Sequence, residues 1–148
     1  DLIVGGTRHW ASGVLLWNLA LDENSGPHAG GCGNCRGVVT IDSRTGAVTR
    51  NDEYYVLAHV SRFVPPGAYR VASSEGRDGV DNVAFVDAVR NRVVLMVVNS
   101  SERPRTVALE APGLRTRYTL AAKSLHTFVW RGPTDDADVT KRGKNDAL

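Results

Sequence analysis

Apolar residues change their spacing twice along the chain, and each change predicts a different kind of element. Val14, Leu15, Leu16 and Trp17 are apolar at consecutive positions after Ser12-Gly13. A short continuous run bounded by turn residues predicts a strand buried on both faces, as in a parallel sheet. Residues 22–37 then turn to Asp, Asn, Ser, Pro and repeated glycine at Gly26, Gly30, Gly31, Gly33 and Gly37. A loop of that length beside a buried strand points to function or to disorder. Residues 38–41 predict the next strand, residues 42–46 a hairpin turn, and residues 47–49 its return. Ahead of all this, Leu2, Ile3 and Trp10 around Gly5-Gly6 predict a helix tail running into a loop.

The spacing then becomes helical. Tyr55, Val56, His59, Val60 and Phe63 recur every three or four residues, which predicts one buried face on a helix over about 53–63. Asn51 or Asp52 can cap it, and Pro65-Pro66-Gly67 ends it. Beyond Gly67 short strand-like runs take over, at residues 69–73, 80–87, 92–99, 105–110, 118–121 and 126–130. Turn clusters such as Gly76-Arg77-Asp78-Gly79 and Pro112-Gly113 separate them. Evenly spaced short strands of this kind predict an antiparallel sandwich, with the apolar run 93–98 as its central strand. Residues 132–148 are polar and mixed in charge, and we expect a disordered tail.

Composition narrows the function classes. Among 148 residues, 42% are hydrophobic and 23% charged, an ordinary globular balance. Lys and Arg number 18 against 16 Asp and Glu, so the formal charge is +2. That gives no reason to expect nucleic acid as a partner. The longest apolar stretch falls far short of the ~20 residues that span a bilayer, so no membrane span is expected. Asp1 leads the chain and Met96 is its single methionine, so a processed product or a piece of a longer protein is expected.

Three segments resemble glycoside hydrolase family 30, which includes the glucosylceramidases. Trp17-Asn18-Leu19-Ala20-Leu21-Asp22, with Ser25-Gly26-Pro27, is similar to the family's last barrel strand and loop. The stretch from Glu53-Tyr54-Tyr55 through Pro65-Pro66-Gly67 to Val71 resembles the final barrel helix and its exit into the sandwich. Ser124-Leu125-His126-Thr127-Phe128-Val129-Trp130 resembles the closing sandwich strand. The resemblance implies a mixed α and β architecture: the last β-α unit of a (β/α)8 barrel, then an antiparallel β-sandwich. Residues 1–66 would end the barrel, 67–131 form the sandwich and 132–148 the tail. It implies a retaining β-glycosidase acting on β-glucosides, glucosylceramide-like or β-glucan, without cofactor or metal, and favours export. Such enzymes face two glutamates across the anomeric carbon, ~5 Å apart. None of Glu23, Glu53, Glu75, Glu102 and Glu110 matches the family's catalytic motifs, so no catalytic residue is expected in this chain. The chain would be inactive alone, its intramolecular partner being the missing amino-terminal barrel through which a β-glucoside substrate binds.

The resemblance gives Trp17, and with it Asn18, a substrate-binding role at the carboxyl end of a barrel strand. An indole stacks on the apolar face of a sugar, and an amide bonds its hydroxyls. Asp22 and His28 are looser candidates for the rim. Cys32 and Cys35 leave three readings open. A loop disulfide would suit an exported protein. A thioredoxin-type pair needs a helix opening at the cysteines, whereas a strand follows here. Zinc would need two ligands beyond these thiolates, with His28 one of them. His59 and His126 read as core histidines, and Arg103, Arg105, Arg115 and Arg117 as a solvated edge. The alternative function is a non-catalytic β-sandwich module that stabilises the barrel or binds carbohydrate itself. Exposed aromatics on one sheet face would support binding, but Tyr69, Phe85, Tyr118, Phe128 and Trp130 alternate with polar residues as core residues do.

Overall fold

Residues 2–132 are described by a computed structural model, and they divide into two units. Residues 12–63 make one, with β1 (Ala20–Leu21), β2 (Val39–Ile41), β3 (Val48–Arg50) and α2 (Asp52–Ser61). Residues 2–11 and 64–132 make the other. It holds α1 (Leu2–Arg8), β4 (Tyr69–Val71), β5 (Val80–Asp87), β6 (Arg92–Asn99), β7 (Arg105–Ala111), β8 (Leu114–Leu120) and β9 (Ser124–Arg131). The expected tail lies outside the described residues, save Gly132.

The larger unit is the antiparallel sandwich that the short runs predict. One sheet runs β4-β5-β6-β9 and a two-stranded ribbon pairs β7 with β8. Register puts Val83 opposite Met96 and Phe85 opposite Val94 on one face. All four are buried, and α1 lies against β5 and β6 with Ile3 and Val4 buried. Each such side chain contributes about 1.5–3 kcal/mol. Arg8, at the end of α1, donates to Ser73 and to the Asn82 carbonyl. On the other face Tyr118 of β8 meets His126 and Phe128 of β9 at ring distances of 5.2 Å. Leu109 and Leu120 of the ribbon are buried. An open cleft of about 1050 Å³ lies between the sheet and β7, lined by Ala84, Leu95, Val97, Val107 and Leu109 among others.

Asp87 closes the β5–β6 turn. Its carboxylate is 3% exposed, accepts the Arg90 backbone N–H at 3.1 Å and meets the Arg90 and Arg92 guanidinium groups at 3.2 and 3.1 Å. Burial pushes its pKa up, but the Arg90 N–H and the two guanidinium groups together outweigh burial and hold it below the ordinary value. A folded-state pKa below the unfolded one gives stability that is present above about pH 4 and lost as pH falls through the folded value. Acid titration should therefore show native protein more stable than Asp87→Asn at pH 7, with the two curves converging as pH falls through the lowered folded-state value. A gap that stays constant across that range would refute this account.

Two expectations need correction. Residues 14–17 form no ladder; pairing starts at Ala20, which faces Val39 in a parallel register. Instead of burial on both faces there is alternation. Val14 and Leu16 are half-buried, whereas Leu15 is 96% and Trp17 79% exposed. A run of apolar residues reports that a surface wants cover, and no strand among the described residues pairs with this one. Likewise α2 buries none of its residues completely. Val56, His59 and Val60 are half-buried and Tyr55 is exposed.

Candidate functional site

In the smaller unit the backbone leaves Trp17 and enters β1 through a left-handed turn. Asn18 takes φ +70°, a conformation its short amide tolerates better than most side chains. Its carbonyl accepts the Val38 N–H at 3.1 Å, and the Leu19 carbonyl accepts that of Val39 at 3.0 Å. The turn is thus fixed by the strand that returns from the long loop. Trp17 presents its indole to solvent, and Leu19, two residues on, is 74% exposed. Leu15, Trp17 and Leu19 are thus three exposed apolar side chains on the segment that leads into β1.

The other candidates separate into structural and free groups. Asp22 closes the turn after β1: its Oδ1 accepts the Asn24 and Gly26 N–H groups at 2.9 and 2.7 Å. His28 is exposed. Cys32 and Cys35 are joined, with their Cα atoms 5.5 Å apart. No helix opens at them, so the thioredoxin arrangement is not formed. Among the described residues no group of three metal-binding side chains occurs. His59 is half-buried on α2, and His126 lies 3.0 Å from Ser124 Oγ, stacked on Phe128. On the expected solvated edge, Arg115 pairs with Glu110 at 3.5 Å and Arg105 donates to the Ser101 hydroxyl.

Among the described residues, Glu23, Asp42 and Glu53 are each shifted toward the charged form. Glu23 lies below its ordinary pKa because the Ser43 hydroxyl and N–H donate to it at 2.6 and 2.8 Å. Asp42 is lowered by the Thr45 hydroxyl and N–H. Glu53 is lowered by the Arg36 guanidinium at 2.8 Å, which also meets Asp52 at 3.3 Å. With Asp87, every acid whose titration is displaced moves down. A general acid needs the opposite direction.

The sequence gives no sign of what holds the loop's two ends. Asn51 does not cap α2 with its side chain. Its amide reaches back to the Gly37 carbonyl at 2.8 Å and the Thr40 hydroxyl at 3.0 Å. Gly37 is where β2 presses on β1, a close approach that would be signalled only by a glycine directly ahead of a strand.

Residues 67–128 match the glycosyl hydrolase family 30 β-sandwich domain. The chain belongs to family 30. Among its relatives, endo-1,6-β-D-glucanase neg1 of Aspergillus fumigatus is 38% identical over 103 residues, 65% of this chain and 21% of that protein. Mouse lysosomal acid glucosylceramidase is 30% identical over 136 residues, 87% of this chain and 25% of that protein. The endo-β1,6-glucanase BT3312 superposes with a TM-score of 0.79 at 30% identity, over 90% of this chain and 30% of its own. SrfJ of Salmonella typhimurium does so with a TM-score of 0.81 at 27% identity, over 88% and 29%. This family 30 chain thus spans about a fifth to a quarter of the curated relatives it matches. No helix among its described residues is long and apolar enough to cross a membrane.

Proposed function

We propose that this chain is the carboxyl-terminal part of a retaining β-glycosidase that hydrolyses β-glucosides and is inactive alone. The barrel end expected over residues 1–66 would then centre on the unit 12–63, and the sandwich expected over 67–131 would take in α1 as well. The relatives' names offer two substrate types, β-1,6-glucan and glucosylceramide. The observation that carries the reading is the exposure of Leu15, Trp17 and Leu19 on the segment that leads into β1, the edge strand of its sheet. Three large apolar side chains and an unpaired edge leave surface and backbone groups that an adjoining strand would satisfy. A barrel preceding this chain supplies such a strand, and with it the glutamate pair. β7 is an edge as well, and the cleft beside it suits strands donated to the sandwich from the protein's amino terminus. Trp17 then stacks on the glucose ring and Asn18 assists. Against the carbohydrate-binding alternative, Tyr118, His126 and Phe128 pack on one another between β8 and β9 rather than forming an open platform.

The test is hydrolysis of an aryl β-glucoside by this chain and by the protein extended with its upstream coding sequence. We expect no turnover from the chain and turnover from the extended protein. In the latter, Trp17→Ala should lower kcat/KM by about 10- to 100-fold, or roughly 1.4–2.8 kcal/mol of transition-state binding. Turnover by the chain alone that survives repurification would overturn the proposal.

A further inference from the structure

The glycosidase reading makes no use of Cys32 and Cys35. They sit in a segment with fixed ends and a loose middle. Gly26 and Gly37 are buried at its two ends. A Cβ on Gly26 would meet the Asp22 carboxylate at 3.1 Å, and one on Gly37 the Val39 carbonyl oxygen at 2.8 Å. Between them residues 27–34 are exposed, and Gly30 and Gly31 take φ +82° and +79°. Among the described residues, no backbone–backbone hydrogen bond involves residues 27–36. Arg36 is tied by its side chain to Glu53 and Asp52. Inside the segment the sulfur bridge is the covalent tie.

That bridge connects no two elements of secondary structure. Its partners are three positions apart, so it closes about the smallest loop a disulfide can. The chain-entropy gain from a cross-link grows with the loop it closes and is least here. Its removal therefore acts on the loop and leaves the unit standing. Cys32 is exposed and Cys35 half-buried, so a reductant reaches the pair from solvent.

We propose that Cys32–Cys35 is a redox clasp: a dithiol reductant opens it and frees residues 27–36, while both units stay folded. A thiolate of the dithiol attacks one sulfur, breaking the S–S bond and forming a mixed disulfide. The second thiol of the reductant displaces the protein sulfur. Two electrons pass to the protein, which is left with two thiols, and the reductant leaves as its cyclic disulfide. This role is independent of whether the parent protein is a glycosidase.

Dithiothreitol under native conditions, followed by thiol titration and brief trypsin digestion, tests it. We expect no thiol before reduction and two per chain after it. Cleavage at Arg36–Gly37 should accelerate at least tenfold on reduction, while cleavage at Arg50 and Arg62, in the same unit, changes less than twofold. The double variant Cys32→Ser/Cys35→Ser should give the fast Arg36 cleavage without reductant. Free thiols in the untreated protein, thiols released only in denaturant, or Arg36 cleavage indifferent to reduction would each overturn the proposal. So would acceleration at Arg50 and Arg62 matching that at Arg36, since the bond would then hold the unit itself.

Discussion

Asn99→Ala should cost the sandwich about 3 kcal/mol and lower its melting temperature by roughly 10–20 °C. The Asn99 side chain is fully buried at the end of β6. Its amide nitrogen donates to the carbonyls of Arg103 and Ala121 at 2.9 and 2.8 Å. Its oxygen accepts the Ser101 N–H at 3.1 Å and the Ser101 hydroxyl at 2.7 Å. One side chain thus joins the exit of β6, the entry to β7 and the segment after β8. Alanine removes all four bonds at once. The two carbonyls keep hydroxyl donors, from Ser101 and Ser124, but the Ser101 N–H loses its acceptor. An orphaned buried donor costs more than a lost bond between neutral partners. Asn99→Asp is the sharper probe, because it keeps shape and acceptor but turns a carboxylate toward two carbonyls. Urea denaturation should rank native above Ala, with Asp no better than Ala. A loss below about 1 kcal/mol for Ala would mean that the turn does not depend on this carboxamide.

Asn99 also marks where sequence legibility ends. β5 and β6 emerge from the pattern with the expected bounds because each is a short apolar-rich run closed by its own turn residues. Apolar runs and turn chemistry are local, so local reading suffices. The carboxamide's four bonds reach two segments, the β6–β7 connection and the residue after β8, and no spacing encodes that. Residues 14–17 illustrate a second limit. Their run of apolar residues is genuine, but periodicity records a demand for cover and is silent about what supplies it. Asn51 illustrates a third. It stands where a cap belongs, yet its amide is drawn to Gly37 and Thr40 across the sheet. At the candidate site, Trp17 and Asn18 stood out through the resemblance to family 30, since a Trp-Asn pair after an apolar run is by itself unremarkable. Asp22 was visible as a polar loop residue, but only its distances to Asn24 and Gly26 make it a turn-closing group. The glycines of the loop look equivalent in the sequence, and the structure sorts them sharply.

That sorting predicts the largest effect in the smaller unit, from Gly37→Ala. The new methyl would lie 2.8 Å from the Val39 carbonyl oxygen, 3.0 Å from the Leu21 nitrogen and 3.1 Å from the Ala20 carbonyl carbon. All three are backbone atoms of paired strands, so no side chain can swing aside to make room. β1 and β2 must separate, which strains the bonds from the Val38 and Val39 N–H groups to Asn18 and Leu19. Overpacking of this kind costs about 1–3 kcal/mol, and contacts with fixed backbone place Gly37→Ala toward the upper end. At about 2 kcal/mol, amide exchange at Val38 and Val39 should quicken about thirtyfold. Gly33→Ala is the control, because a Cβ there meets nothing within 4 Å. Exchange in β5 and β6 should stay unchanged in both variants, since those strands belong to the other unit. Should the two substitutions behave alike, the close approach of β1 to β2 would not be what requires glycine at position 37. Should Gly37→Ala quicken exchange as expected, the turn that presents Trp17 and Asn18 depends on a strand contact that no side chain larger than hydrogen allows.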